Sequence, residues 1–259
     1  MVMPKFIIKI VQNVVSVFEG IGEYCILISK IFRSYSIWKK MLPDSIDQMI
    51  YIGVKSIPIV ILTSFFTGMV SSVQAAYQME STLTPKWFVG SLVGETVLLE
   101  LAPVITALVL AGRIGATIAA EIGTMRVTEQ IDALETLSID PIAYLIFPRL
   151  VATIVMFPVI IIVADIFGIM GGIIAAISSL DVDSYQFLKG FKMWFKPWDA
   201  WYGIIKGLSF GLAITTIACY FGYYTRGGAE GVGRSATSTV VASCIAIMVL
   251  DYMLASLLL

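Results

Sequence analysis

From Ser56 to Met79 the chain carries no charged side chain, and that run constrains the fold more than any other feature. Crossing the roughly 30 Å hydrocarbon layer of a bilayer takes about 20 mostly apolar residues, and four further stretches meet the requirement. Trp87 to Gly112 holds only Glu95 and Glu100, Leu150 to Leu180 only Asp165, Gly207 to Thr225 no charge, and Ser235 to Leu259 only Asp251. Lipid offers no partners to backbone N–H and C=O groups, so a spanning segment must be a helix or part of a closed barrel. Barrel strands alternate in polarity over about ten residues, whereas these runs are longer and continuous. The sequence predicts an all-α integral membrane protein with five transmembrane helices, at about 52–79, 87–112, 147–180, 201–225 and 235–258.

Composition agrees: 58% of residues are hydrophobic and 14% charged, against roughly 45 to 50% and about 25% in soluble domains. The 17 Lys and Arg against 18 Asp and Glu leave a net charge of −1. Such a chain has no basic field to hold nucleic acid. The absence of histidine removes Ser-His-Asp and Cys-His catalysis, imidazole metal ligation and a histidine pH switch. Cys25, Cys219 and Cys244 are far apart and odd in number, which suggests neither a metal pair nor a disulfide framework. No cofactor or metal is expected.

The N-terminal segment differs. Ile7, Val11, Val14, Phe18, Ile21, Cys25, Ile28 and Phe32 recur at three-and-four spacing, while Lys5, Lys9, Gln12, Ser16, Glu19, Glu23, Lys30 and Arg33 fill the other face. This predicts an interfacial amphipathic helix over residues 1–42, followed by one membrane unit over 43–259. A signal peptide fits less well, because Lys9, Gln12 and Asn13 interrupt any apolar region. With a cytoplasmic N-terminus, that side gathers Lys5, Lys9, Lys30, Arg33, Lys39, Lys40, Lys55, Arg113, Arg126, Arg149, Arg226 and Arg234. The far side keeps Lys86, Lys189, Lys192, Lys196 and Lys206, as the positive-inside rule requires. Asp181 to Lys196 reads as a short surface helix on the outer side, beside an aromatic belt of Trp194, Phe195, Trp198, Trp201 and Tyr202.

The densest polar stretch between spans runs from Arg113 to Arg149. Within it Thr128 is positioned to cap a short helix in which Glu129, Asp132 and Glu135 form an acidic row and Ile131, Leu134 and Leu137 an apolar one. Asp140-Pro141 ends it. Such a helix suits docking into a partner's groove, and equally suits a solvated connector.

Here the sequence resembles a known family. Glu100-Leu-Ala-Pro103-Val-Ile-Thr-Ala-Leu, Ala111-Gly-Arg113-Ile-Gly115, Ala120-Glu121-Ile-Gly123-Thr-Met125, Glu129-Gln-Ile-Asp-Ala-Leu134 and Pro148-Arg149, in that order, resemble the signature of the MlaE (YrbE) permeases. These are membrane subunits of bacterial ABC-type lipid transporters that work with MCE proteins. The similarity runs from about Ile52 to the C-terminus. It implies a homodimeric, multi-pass protein of the inner membrane, with the C-terminus periplasmic, that moves phospholipid or a related lipid. The resemblance makes the chain a transport subunit rather than an enzyme. Its implied partners are a separate cytosolic ABC ATPase, a periplasmic MCE-domain protein and a small cytosolic accessory subunit. Glu129, Gln130, Ile131, Asp132, Ala133, Leu134, Glu135 and Leu137 would form the coupling helix against the ATPase.

Gly228-Ala-Glu-Gly-Val-Gly233-Arg234-Ser235 imitates a phosphate-binding loop, but it lies between two spans and lacks the lysine. Its glycines suggest a tight turn instead. Among the intramembrane carboxylates, Glu95 and Glu100 need not share a face. Glu100, followed by the helix-loosening Pro103, is the better candidate to line a cavity, and a buried, hydrogen-bonded carboxyl is the alternative. Some members of the family carry Arg before this Glu, where this chain has Leu99. Asp251 reads as interfacial. Gly90/Gly94, Gly168/Gly172 and Gly207/Gly211 have the spacing of close helix contacts. With the dimer and cavity supplied by the family, Val73, Gln74, Tyr77, Leu99, Glu100 and Tyr252 are the candidate lipid-cavity residues. Taken without the resemblance, the residues also admit an ion- or proton-coupled carrier using Glu95, Glu100 and Asp165, or an intramembrane aspartyl enzyme using Asp165 and Asp251.

Overall fold

A computed structural model describes residues 19–31, 38–79, 85–179 and 182–259. Most of the amphipathic pattern, from Lys5 to Phe18, lies outside the described residues, as do Phe32 and Arg33. Within the described part, α1 covers residues 19–31 and lies along the fourth span. The Tyr24 hydroxyl is 2.7 Å from Thr216 Oγ1, its ring meets Tyr220 edge-on, and burial raises the Tyr24 phenol above its usual range. Leu27 and Ile31 of α1 are buried.

Five helical segments have the length and hydropathy of spans: Pro43–Gln78, Phe88–Val127, Pro141–Ser178, Pro197–Tyr223 and Gly228–Leu258. The first joins α2 (Trp38–Ile52) to α3 (Ile57–Gln78) through a 3₁₀ turn at Val54–Ser56. Its start precedes the expected one, because Pro43–Ile52 continues the helix below the charge-free run. The second comprises α4 (Phe88–Thr96), α5 (Ala102–Leu110) and α6 (Ala116–Val127), joined by π-helical segments at Val97–Leu101 and Ala111–Gly115. At 40 residues it is about 60 Å long, twice the hydrocarbon thickness. The expected end at Gly112 marked where charge begins, not where the helix stops.

The helix α7 is Gln130–Thr136, bounded by Glu129 and Ser138, both at φ 59°. Left-handed conformation at a non-glycine residue costs roughly 1–2 kcal/mol. These two residues therefore turn the chain out of α6 and out of α7. Thr128 does not cap α7 as expected: its hydroxyl bonds back to Thr124 O at 2.8 Å, ending α6. Asp140 opens the next helix, α8 (Pro141–Leu145), by accepting from the Ile142 N–H at 3.0 Å. Then follow α9 (Phe147–Ser179), the short α10 (Ser184–Trp194), α11 (Pro197–Tyr223) and α12 (Gly228–Leu258).

Spans pack closely where glycine allows it. A Cβ at Gly68 would stand 1.8 Å from Gly168 O, so α3 and α9 meet backbone to backbone, as small residues permit in lipid. A Cβ at Gly90 would stand 2.1 Å from Phe187 O, which seats α10 on the start of the second span. The phosphate-loop imitation is helical from Gly228 onward, and the turn before it is made by Gly227 and Gly228 at φ 93° and 67°.

Candidate functional site

Two charged clusters organise the bundle, one toward the α7 end and one nearer the α10 end. At the α7 end, Arg149 is 7% exposed, donates to Leu145 O at 2.6 Å and meets Glu121 Oε2 at 3.1 Å. Arg113 donates to the Ser56 hydroxyl. Arg113, Glu121 and Arg149 all belong to the recognised motif run, and their contacts tie the second span to the first and third.

The second cluster centres on Lys206, whose side chain is fully buried. Its Nζ donates to Leu99 O at 2.8 Å and lies 2.9 Å from Glu100 Oε1 and 2.7 Å from Asp251 Oδ1. The contact with Asp251 is an ion contact rather than an aligned hydrogen bond. The Tyr202 ring covers another side, 4.7 Å from the ammonium. An unpaired ammonium here would cost at least about 2.5 to 3.5 kcal/mol; three oxygens drawn from the second and fifth spans offset that.

The geometry follows from the backbone. The N–H of residue 103 would ordinarily return to Leu99 O, but Pro103 has none. Lys206 takes its place. The π-helical segment containing Glu100 begins at Val97, and such segments are frequent at functional sites. Counted from the α10 end, Glu100 lies 12 residues into its span, Lys206 nine and Asp251 seven, about 18, 14 and 10 Å deep along straight helices.

Two expectations need correction. Lys206 is not a flanking charge on the outer side but an intramembrane residue, and Asp251 is not merely interfacial but its ion partner. The charge-free run of the fourth span begins at Gly207, so Lys206 reads as an end residue although the expected span, 201–225, contains it. A lone Lys between Ile205 and Gly207, facing two carboxylates at similar depth in other spans, was the signal available.

The cavity candidates divide. Leu99 and Glu100 stand at the cluster, with the Glu100 side chain 41% exposed, and Tyr252 follows Asp251. Val73, Gln74 and Tyr77 lie on α3, on an exposed stripe that includes Leu62, Phe66 and Val70. Helix α3 packs against α4 and α5, and α12 against α5 and α6, so both flank the second span.

The helix α7 presents a different face from the one expected. Ile131 is fully buried and Leu134 partly so, while Leu137, just past the helix end, is 70% exposed. Glu129, Gln130, Asp132, Ala133 and Glu135 are exposed. Asp132 is held by Arg126 at 2.6 Å.

Comparison with known proteins places this architecture. The family model described as "Permease MlaE" matches residues 45–257. A "Probable ABC transporter permease protein" of Rickettsia felis is 44% identical over 212 residues, 82% of each chain. The "Intermembrane phospholipid transport system permease protein MlaE" of Haemophilus influenzae is 32% identical over 257 residues, 98% of this chain and 97% of that one. The Arabidopsis thaliana chloroplastic protein TRIGALACTOSYLDIACYLGLYCEROL 1 is 35% identical over 213 residues, 82% of this chain and 61% of its own. A helical, five-span chain matched over residues 45–257 by the family model and along 98% of its length by a named relative belongs to the MlaE permease family.

Proposed function

We propose that the chain is the permease of an ABC-type system that moves phospholipid, or a closely related lipid, between the inner membrane and the periplasmic side of a bacterial envelope. The observation that carries this reading is the similarity along 98% of the chain to a permease named for intermembrane phospholipid transport. ATP hydrolysis belongs to a separate cytosolic ATPase, docked on α7 through Leu137 and the exposed Glu129, Gln130, Ala133 and Glu135. The left-handed residues flanking α7 support this, since they set the helix apart from α6 and α8 while its outer face stays exposed. An MCE-domain protein on the periplasmic side and a small cytosolic subunit complete the assembly.

The working form is a homodimer. On α12, Thr237, Val241, Ile245, Met248 and Tyr252 form an exposed stripe at three-and-four spacing, a face suited to a second copy. The lipid cavity lies between the two copies, lined by Val73, Gln74, Tyr77, Leu99, Glu100 and Tyr252. All six are exposed or half-exposed in one chain. The N-terminus is cytoplasmic and the C-terminus periplasmic, which puts Arg113, Arg126, Arg149, Arg226 and Arg234 on the cytoplasmic side, in line with the positive-inside rule.

The test is affinity purification in mild detergent, followed by reconstitution of the co-purified complex and measurement of lipid transfer between vesicles. Co-purification of a nucleotide-binding chain and ATP-dependent lipid transfer are expected. Transport that follows a proton or sodium gradient and ignores ATP would overturn the reading in favour of an ion-coupled carrier, for which Lys206 between Glu100 and Asp251 would be the natural site.

A further inference from the structure

The π-helical segment and Pro103 leave two carbonyls of the second span without their usual donors, and Lys206 serves only one. In a regular α-helix the N–H groups of residues 102 and 103 would bond Leu98 O and Leu99 O. Here the Ala102 N–H goes to Val97 O instead, and Pro103 has no N–H. Lys206 donates to Leu99 O, which leaves Leu98 O with neither helical donor. A carbonyl without a donor inside a membrane span is costly.

On the neighbouring face stands Asp165 of α9. Its Oδ2 and Leu98 O each lie 3.7 Å from the position a Cβ on Gly203 would occupy, so the glycine leaves carboxyl and carbonyl facing the same small space. Oδ1 of Asp165 is buried without a hydrogen-bond partner. Among the described residues no salt bridge includes Asp165. The third atom beside that Gly203 position is Ile161 Cγ2, at 3.8 Å, which is apolar. Lys206, one turn along α11 from Gly203, is committed to Glu100, Asp251 and Leu99 O. An ionised carboxylate in such surroundings would be an uncompensated buried charge. A protonated carboxyl carries one O–H donor, and the acceptor lacking a donor is Leu98 O.

We propose that Asp165 is a neutral carboxylic acid whose O–H donates to Leu98 O, closing the second of the two gaps that the π-helical segment and Pro103 open in the second span. Asp165 is thus a positioning residue: it fixes the backbone that carries Glu100 and does not itself meet the transported molecule. The proposal stands whatever the complex transports.

Infrared spectroscopy of the complex in lipid nanodiscs tests it directly. The wild type should show a protonated-acid carbonyl band at about pH 6, where an ordinary aspartate is ionised. Asp165→Asn should remove that band and, because its amide still donates, leave folding and transport near wild type. Asp165→Leu orphans the carbonyl and should shift the unfolding equilibrium by roughly tenfold to a hundredfold. With Leu99 O held by Lys206, the new N–H of a Pro103→Ala background follows the Ala102 N–H in reaching five residues back, to Leu98 O; that shift should then shrink and the acid band of Asp165 should move to higher frequency. Loss of carboxylate rather than acid bands on Asp165→Asn would show the group ionised and overturn the proposal. An acid band indifferent to Pro103→Ala would also overturn it, since the proton would then serve another acceptor.

Discussion

The hydroxyl of Tyr223, the last residue of α11, donates to Glu135 Oε1 of α7 at 3.3 Å, while the guanidinium of Arg126 sits 5.7 Å over the same ring. The end of the fourth span, the end of the second span and α7 thus share one side chain. On the same turn Tyr220 meets Tyr224 and reaches Glu23 of α1 at 3.1 Å. A displacement of α7 by a docked partner has a contact route into the bundle through α11, besides its covalent link to α6.

Docking on α7 is expected to depend on Leu137 rather than on the buried apolar row. Leu137→Asp places a charge on an exposed position and should release the ATPase while the permease still folds. Ile131→Asp buries a charge and should destabilise the fold itself by several kcal/mol. Leu134 is intermediate and would confuse the two effects. Pull-down of the ATPase beside a thermal melt of each variant checks this; retention of the ATPase by Leu137→Asp would remove the proposed contact.

Replacing Lys206 by Met should be the most damaging change at the intramembrane cluster. It leaves Glu100 and Asp251 without a cation and Leu99 O without its donor, and breaking a buried pair in this way costs about 3–5 kcal/mol. Asp251→Asn should cost less, because Lys206 keeps Glu100 and the carbonyl. The order of thermal midpoints in detergent, wild type above Asp251→Asn above Lys206→Met, is the measurement.

Glu100 separates function from folding best when changed to Gln. The side chain keeps its shape and an oxygen for Lys206 but gives up the charge on its open side. Transfer of phospholipid should fall about tenfold, the equivalent of one lost charged contact of roughly 1.4 kcal/mol, with dimer and ATPase still assembled. Glu100→Arg would abolish transport as well, but by setting a second cation beside Lys206, so its effect would combine misfolding with lost recognition. Full transfer activity in Glu100→Gln would return this carboxylate to a purely structural role.

Topology can be read by cysteine labelling in intact cells. Gln130 and Asp183 are both exposed, so an impermeant thiol reagent should label Asp183→Cys and spare Gln130→Cys. The background has to carry Cys25→Ser and Cys244→Ser, because Cys25 is exposed and Cys244 half-buried whereas Cys219 is buried. The opposite labelling pattern would invert the orientation.

Five spans were legible because apolar runs of this length with at most two charges have no other physical solution, and the MlaE motif run was legible because it is long and ordered. The ends of the helices were not. In the sequence Arg113 and Glu121 read as loop residues because charge ordinarily marks the membrane boundary, yet the helical second span continues past both. The direction of Ile131 and Leu134 was also hidden: three-residue spacing identifies an apolar row without saying which neighbour it meets, and here it meets the chain's own core. Asp165 showed in the sequence as a carboxylate. What it lacks, a partner, is visible only when Gly203 and Leu98 stand beside it.

The uninterrupted length of the second span has a mechanical consequence. From Glu100 to Val127 it is a rod of about 40 Å, with the π-helical segment Ala111–Gly115 partway along and Glu129 bending away at its far end. From Arg113 to Val127 the arm measures about 21 Å, so a flexure of about 10° at that segment would swing its tip by nearly 4 Å. On the proposed reading, one lever has the nucleotide-driven stroke at one end and the lipid-facing carboxylate at the other, and the softness of Ala111–Gly115 sets how much of the stroke arrives.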